Sequence, residues 1–201
     1  MDLKKHIRSI PDYPKKGILF RDITTLIKNA EAFKYTNDKI IELAETIDFD
    51  KVAAIESRGF VFASTVSYLL KKKEIKKTVE ETKMHVELQD LVHPFSTHYQ
   101  EFGHGATHLL FKRAQGPDSY LADATLFLEA AGILCIAWMW LKQATTAQNA
   151  LNMGAGEQEF YLGKLQTARY TMEYELIKLK SLLPRFSSLT YPTLTMKNEW
   201  F

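Results

Sequence analysis

From about residue 72 to residue 184, more than half of the chain carries apolar residues at the spacing of α-helices. The breaks in this pattern are short, at His93-Pro94, Gly116-Pro117-Asp118 and residues 152–156. They predict four helices, at about 72–91, 95–113, 119–151 and 157–183, with Asp118 or Ser119 capping the third and Pro184 stopping the last. Long helices with short connections pack against each other in opposite directions, so the pattern predicts an antiparallel four-helix bundle. Residues 185–201 should form an irregular tail, with Trp200 and Phe201 docking on the bundle.

The third helix is predicted to lie at the centre of the bundle. Its apolar run from Ala130 to Leu141 is twelve residues long, shorter than the roughly 20 that span a bilayer, which indicates a buried helix. Gly132 should let another helix approach closely. The predicted inward positions are Leu121, Ala124, Leu128, Ala131, Cys135, Trp138 and Leu141 on this helix, and Phe160, Leu165, Tyr170, Tyr174 and Leu176 on the last one, with Leu162 and Ile177 flanking them.

The first 72 residues have a different pattern, in which helices alternate with short extended pieces. Ile18 to Phe20 should be extended, Asn29 should cap a helix from about residue 30 to 46, and Val52 to Ile55 should be a buried strand before a helix at about 59–72. This is the beginning of an α/β layer fold. The predicted fold class is therefore mainly α, with the bundle preceded by an incomplete α/β segment.

The stretch Glu56-Ser57-Arg58-Gly59 follows the predicted strand and opens the next helix. A helix N-terminus presents backbone N–H groups, and an arginine fork suits phosphate oxygens, so this turn is a candidate anion site. A simple ion pair of Arg58 with Asp22 or Glu56 is the alternative interpretation.

The composition excludes several classes of function. The 26 basic and 24 acidic residues give a net charge of +2, too small a field for binding nucleic acid or an anionic membrane through bulk charge. The single cysteine, Cys135, lies in an apolar run and should be a buried thiol. With no signal-peptide pattern at the N-terminus, this favours the cytoplasm.

Two motifs in the first part resemble the adenine phosphoribosyltransferase family: GILFRDIT at residues 17–24 and AAIESRGFVF at residues 53–62. The similarity runs from residue 1 to about residue 72. It implies adenine binding by Leu19, Phe20 and Arg21, and diphosphate binding by Glu56, Ser57, Arg58 and Gly59.

The transferase chemistry of that family also needs a second phosphate loop, which follows a strand and holds the ribose phosphate, and a mobile loop that closes over the reaction. Neither motif occurs in this sequence, since Gly154-Ala155-Gly156 reads as a linker between helices. Residues 52–55 would moreover be the one buried strand of the chain, with Ile18 to Phe20 able to cover part of one edge. This segment should therefore pair with another chain, stay solvated or be only loosely ordered.

A second resemblance covers residues 74–201. The patterns W-x-W-L-x-Q-A at residues 138–144 and F-Y-x-G-K-x-x-T-A-R-Y at residues 160–170 are similar to the C-terminal helical extension of the larger acyl-CoA dehydrogenases. In those enzymes the flavin site and the catalytic glutamate lie in preceding domains, so the resemblance implies packing or assembly. Thr171-Met172 stands where that family usually has aromatic residues. This replacement should leave the core less densely packed at that point.

Five of the six histidines lie between residues 84 and 109. Glu101, His104 and His108 could share one helix face, but a carboxylate-bridged metal pair would need a second Glu-x-x-His, which the sequence lacks. Surface or partly buried histidines are the preferred interpretation, and no metal site is predicted.

These observations predict three regions: residues 1–72, a partial phosphoribosyltransferase-like segment; residues 73–184, the bundle; and residues 185–201, the tail. The function they favour is a packing or assembly module with a vestigial diphosphate turn and no complete catalytic site. An adenine phosphoribosyltransferase and an accessory part of an acyl-CoA dehydrogenase are the alternatives. No cofactor is expected, neither FAD nor, unless phosphoribosyl pyrophosphate binds, Mg²⁺. The expected partners are a second copy, through helices or the unpaired strand, and a weakly held phosphate or nucleotide, without nucleic acid or membrane.

Overall fold

The computed structural model describes residues 1–47, 49, 51–112, 115–154 and 156–200, with the backbone alone at residues 56–58, 117, 120 and 198. The chain divides into two compact units, residues 1–74 and residues 75–201. We call them unit 1 and unit 2.

Unit 1 begins with a single 3-10 turn, Leu3–His6, and a hairpin of two antiparallel strands, β1 (Arg8–Pro11) and β2 (Leu19–Asp22). The strands pair with Ile10 opposite Phe20. Gly17 closes the hairpin loop at a φ of +90°, a backbone conformation that a side chain would strain. Its N–H donates to the Asp12 carboxylate at 2.7 Å.

Two helices follow the hairpin, α1 (Thr24–Lys28) and α2 (Ala30–Ala44). The predicted cap at Asn29 is confirmed, because its side-chain oxygen accepts a hydrogen bond from the Ala32 N–H at 2.9 Å. The cap satisfies one of the N–H groups that a helix start leaves unpaired.

The predicted strand at residues 52–55 is wrong. These residues have no regular structure, and they are exposed rather than buried, with Val52 at 38% and Ile55 at 92% of their full accessible surface. A strand is stable only when neighbours share its hydrogen bonds, and within the described residues β1 and β2 are the only strands. The unpaired strand edge that we expected to recruit another chain is therefore not formed.

Helix α3 runs from Glu56 to Lys83 without interruption. The predicted turn at residues 56–59 is its first turn, and the expected boundary near residue 72 lies inside it. The helix ends earlier than the predicted residue 91, and a 3-10 turn, Val86–Leu88, leads into α4 (Gln89–Lys112).

Two prolines lie inside helices where the sequence predicted helix boundaries. Pro94 is the sixth residue of α4, and Pro184 lies within α8 (Leu179–Ser187). A proline removes one helical hydrogen bond. Burial of Phe95 and Phe186, both fully covered, holds each helix through its proline, so tertiary packing overrides the local signal.

Unit 2 contains the bundle, built from the end of α3, α4, α6 (Ala124–Asn152) and the pair α7 (Gln158–Tyr170) and α8. The short α5 (Pro117–Leu121) precedes α6. Lys112 meets Asp123 while Phe102 meets Phe127, so α4 and the start of α6 run in opposite directions. The bundle buries one hydrophobic core, Leu88, Leu91, Val92, Phe95, Leu109, Ala130, Leu134, Ala137, Trp138, Leu141, Ala144, Ala147, Leu165, Ala168, Met172, Leu176, Leu179, Leu183 and Phe186.

The predicted inward face of α6 is only partly right. Trp138 and Leu141 are buried, but Leu121 is 58% and Leu128 is 70% exposed, and Cys135 is an exposed free thiol. The buried side carries four alanines, Ala130, Ala137, Ala144 and Ala147, and small side chains allow the neighbouring helices to come close. Both sides of α6 are apolar, so helical periodicity alone does not identify the buried side. The prediction chose the side with the bulkier residues.

The last predicted helix is divided into four segments. A π-helical turn, Thr171–Glu175, and a 3-10 turn, Leu176–Lys178, separate α7 from α8. Leu165 and Leu176 are buried as predicted, whereas Phe160, Leu162, Tyr170, Tyr174 and Ile177 are exposed. Thr171 and Met172 take the inward positions at the π turn.

The predicted irregular tail contains two short helical turns, α9 (Pro192–Thr195) and the 3-10 turn Asn198–Trp200. Trp200 is 61% exposed, so its expected docking on the bundle does not occur. Phe201 lies outside the described residues.

Candidate functional site

The residues expected to bind adenine lie on β2. Leu19 and Arg21 alternate with Phe20 along the strand, so they lie on its opposite face. Leu19 is 50% exposed. The Arg21 guanidinium donates to the Ser9 hydroxyl, and the Phe20 ring meets Tyr13 edge to face with centroids 5.2 Å apart. The hairpin therefore fixes Phe20 and Arg21 by contacts within unit 1.

The residues expected to bind diphosphate form the first turn of α3. The side chains of Glu56, Ser57 and Arg58 lie outside the described part of the structure. Gly59 leaves ordinary room around it, since an added Cβ would meet Ala54 Cβ at 3.5 Å. Its backbone therefore needs no glycine for conformation or for contacts within the chain.

Asp22 is the polar centre of the hairpin. Its carboxylate accepts hydrogen bonds from the Arg8 guanidinium at 2.5 and 3.1 Å and from the Thr24 N–H at 2.9 Å. The hydrogen bonds from Thr24, followed by that from Arg8, lower the pKa of Asp22 to about 2. Asp22 thus joins β1, β2 and the start of α1, a structural arrangement that its sequence motif did not reveal.

The motif residues of the bundle hold helices together. The Trp138 indole N–H donates to the Thr78 hydroxyl at 3.0 Å, which ties α6 to the end of α3. Lys164 donates to the Gln143 side chain at 3.1 Å and lies 5.3 Å from the ring centroid of Trp140. Trp138 lies in the core, and Trp140 is half-buried against it.

Arg169, from the second motif, ties α7 to the start of α4. Its guanidinium donates to the Asp90 carboxylate at 2.9 Å and to the Glu87 carbonyl at 3.4 Å. Together with the contacts of Trp138 and Lys164, this shows that the motif residues pack neighbouring helices together.

A buried charge cluster at one end of the bundle was not predicted. Asp123 lies between two cations, with one carboxylate oxygen 3.0 Å from Lys112 Nζ and the other 3.0 Å from Arg185 Nε. Lys112 and Asp123 are almost fully buried. Arg185 also donates to Thr190, which holds the chain after α8 on the bundle. The spacing of Lys112 three residues after the buried Leu109 was the available signal that this lysine points inward.

Apolar side chains lie exposed along one side of the bundle, where α6 and α7 pack together. A groove of about 360 Å³ separates Met139 on α6 from Phe160 on α7. The hydrogen bond to Glu175 raises the pKa of Lys178, and the neighbouring Tyr170 and Glu129 raise this pKa further. We call this surface the α6–α7 face: Leu128, Gly132, Ile136, Met139, Phe160, Tyr170 and Tyr174, each exposed.

Gly132 lies within the α6–α7 face. An added Cβ there would have no atom within 4 Å, so the close helix neighbour predicted for this glycine is not found in the described chain.

The histidines do not converge. Glu101, His104 and His108 are all exposed on α4, and among the described residues no group of three or more histidine, cysteine or acidic side chains is placed to hold a metal ion. His98 is buried, with its Nδ1 bonded to the Pro94 carbonyl at 2.8 Å.

Within the described residues, α6 is the one helix long and apolar enough to cross a membrane, judged by length and composition. The central helix of a bundle meets the same criteria, so this finding is weak evidence for a membrane span.

Relatives of the N-terminal part are adenine phosphoribosyltransferases. That of Pelagibacter ubique is 72% identical over 72 residues, which are 36% of this chain and 41% of the relative. That of Petrotoga mobilis is 57% identical over 72 residues, 36% of this chain and 42% of the relative. The crystal structure of the Thermoanaerobacter pseudethanolicus enzyme is 46% identical over 35% of this chain and 42% of its own, with a TM-score of 0.34. The chain spans about two fifths of the length of these relatives.

Residues 72–197 match the family described as acetyl-CoA dehydrogenase C-terminal like. The chain thus joins a phosphoribosyltransferase-like segment to a dehydrogenase-type helical domain, as the two resemblances predicted. Because this match covers more than half of the 201 residues, the chain belongs to the acetyl-CoA dehydrogenase C-terminal-like family.

Proposed function

We propose that the chain is a non-catalytic assembly module that associates with a second copy of itself through the α6–α7 face. The observation that carries the proposal is the exposure of this face: Leu128 is 70%, Ile136 is 56% and Tyr174 is 60% exposed. Neighbouring large apolar residues on a surface are typical of an interaction site.

The charge pattern favours a second copy as the partner. In a two-fold interface the same patch meets itself, so a charged patch would repel its copy. The seven residues of the α6–α7 face are uncharged, and the charges that line the groove beside them are Lys142 and Lys164. Gly132 leaves open space between Leu128 and Ile136, which lets a helix of the second copy approach closely.

Sedimentation equilibrium across a concentration series tests this proposal. We expect the unaltered chain to form dimers, and Ile136→Asp to weaken the association at least tenfold, because burying an unpaired carboxylate in the interface is costly. Ile136 is half exposed in the single chain, so the substitution should leave the fold intact, as circular dichroism would check.

Leu110→Asp is the matched control. Leu110 is an exposed apolar residue on α4, 61% accessible, and it lies outside the α6–α7 face. We expect this variant to dimerise like the unaltered chain. A chain that is monomeric throughout, or an equal effect of the two variants, would exclude self-association through this face.

A second candidate function rests on the 72% identity of the N-terminal segment to the Pelagibacter ubique enzyme. In this alternative the chain is an adenine phosphoribosyltransferase that makes AMP from adenine and phosphoribosyl pyrophosphate with Mg²⁺, and another chain supplies the missing loops. Leu19, Phe20 and Arg21 would contact adenine, while Glu56, Ser57, Arg58 and Gly59 would bind the diphosphate.

An AMP-formation assay separates the two candidates. The assembly module predicts no turnover above background, whereas the transferase predicts turnover that Arg58→Ala abolishes, because the guanidinium is the fixed cation of the phosphate site. A titration with inorganic phosphate is the companion measurement. The vestigial turn predicts weak, Arg58-dependent binding without turnover.

We propose the cytoplasm as the location of the protein. Cys135 is an exposed free thiol, a state that reducing compartments maintain. Fractionation of the cells that carry the protein would test this assignment.

A further inference from the structure

Unit 1 has an exposed apolar surface of its own, in the stretch from the end of α2 to the start of α3. Leu43 is 68%, Ile47 is 63%, Ile55 is 92% and Phe60 is 62% exposed. Such residues are the ones that proteins usually cover. Their concentration in fewer than twenty positions indicates a surface that lacks its usual partner.

The comparison with the Pelagibacter ubique enzyme shows what the partner could be. The relative is 72% identical to this chain over 72 residues, so it carries an equivalent of this segment. The match covers 41% of the relative, so more than half of its chain lies beyond the matched segment. That remaining polypeptide is available to cover the equivalent segment of the relative.

We propose that the surface formed by Leu43, Ile47, Val52, Ile55 and Phe60 binds the polypeptide that follows the matched segment in an adenine phosphoribosyltransferase. Unit 1 would then complement a phosphoribosyltransferase fragment that lacks its own first segment. The binding is hydrophobic and independent of the α6–α7 face, because none of its residues belongs to unit 2.

Residues 52–55 are suited to pairing, as a strand, with the bound polypeptide. They have no regular structure in this chain, and a strand that lacks neighbours can form when a partner supplies the edge. The sequence pattern that predicted a strand there is satisfied once another strand is added beside it.

Co-expression tests the proposal. The full chain carrying Ile136→Asp, which removes self-association through the other face, is co-expressed with the Pelagibacter ubique enzyme truncated to the part beyond its matched 72 residues. We expect the tagged chain to recover the soluble fragment in a one-to-one complex. Adding Ile55→Asp should reduce recovery at least tenfold, because the buried carboxylate would lack a partner.

Leu189→Asp is the matched control, since Leu189 is also exposed, at 69%, and lies in unit 2. It should leave recovery unchanged. Failure to recover the fragment, or recovery that Ile55→Asp does not alter, would overturn the proposal. So would a dimer of the chain alone that persists in Ile136→Asp and dissociates with Ile55→Asp, because the surface would then bind a second copy.

Discussion

Gly105 is the glycine of this chain with the closest neighbours. An added Cβ would lie 2.8 Å from Cδ2 and 3.2 Å from Cβ of Phe186, and Phe186 is fully buried, so it has little room to move. We expect Gly105→Ala to destabilise unit 2 by about 1–3 kcal/mol through overpacking. The urea midpoint of the helical circular-dichroism signal measures the change.

Gly103 provides the control in the same helix. A Cβ there meets nothing within 4 Å, and alanine is favoured over glycine in a helix by about 1 kcal/mol. Gly103→Ala should therefore raise the urea midpoint. A shift of the same sign in both variants would contradict the packing argument.

Asp123 is the only anion in contact with the buried Lys112 among the described residues. Asp123→Asn keeps the shape of the side chain but leaves Lys112 without a counter-charge. Removing one partner of a buried ion pair costs about 3–5 kcal/mol, so we expect a large loss of stability in chemical denaturation. Glu80→Gln, in the exposed pair with Lys83, should change stability by less than about 1 kcal/mol.

The hairpin and α1 depend on one carboxylate, which makes this pair of elements acid-sensitive. The pKa of Asp22 falls from 3.8 to about 2 in the folded chain, so its contribution is present above pH 4 and is lost as the pH falls through 2. We expect the hairpin to loosen over this range, as measured by the NMR signal of the Thr24 amide. Asp22→Asn should remove this pH dependence, and an unchanged acid transition in that variant would refute it.

Element boundaries show where local signals suffice. Asn29 caps α2 as its side chain predicts, because a cap acts within one turn. Pro94 and Pro184 fail as boundaries, because the burial of Phe95 and Phe186 on the same helices opposes them. The inward side of α6 also escaped prediction, since two apolar sides compete and only the neighbouring helices select one.

At the scale of the whole molecule, the two units differ in how much they bury. The hydrophobic core cluster lies in unit 2, whereas unit 1 exposes Ile47, Ile55 and Phe60. We expect limited proteolysis to cut unit 1 first and to leave a protected fragment that retains residues 75–201. Thermolysin, which cleaves before large apolar residues, and mass spectrometry of the fragments would test this.

The Ile55→Pro variant is a control for the proteolysis experiment. Residue 55 lies outside regular structure, so proline there should not accelerate cleavage in unit 2. Equal rates of cleavage in the two units of the unaltered chain would contradict the difference in burial.

The candidate site shows a similar division between local and long-range information. The motifs of residues 17–24 and 53–62 identified the ancestry of unit 1, and the patterns at residues 138–144 and 160–170 identified that of unit 2. They did not reveal that Asp22 binds Arg8, or that Arg169 binds Asp90. Those partners are 14 and 79 residues apart, beyond the reach of any local pattern.

The sequence by itself determined that this chain combines two ancestries and that its larger part is a helical bundle, because helical periodicity and family motifs are local properties. Only the tertiary structure decided which side of each helix is buried, that residues 52–55 form no strand, and that Asp123 joins Lys112 and Arg185. These outcomes depend on which neighbours are present to pair backbone groups, cover apolar surface and balance charge, and the neighbours come from distant parts of the chain.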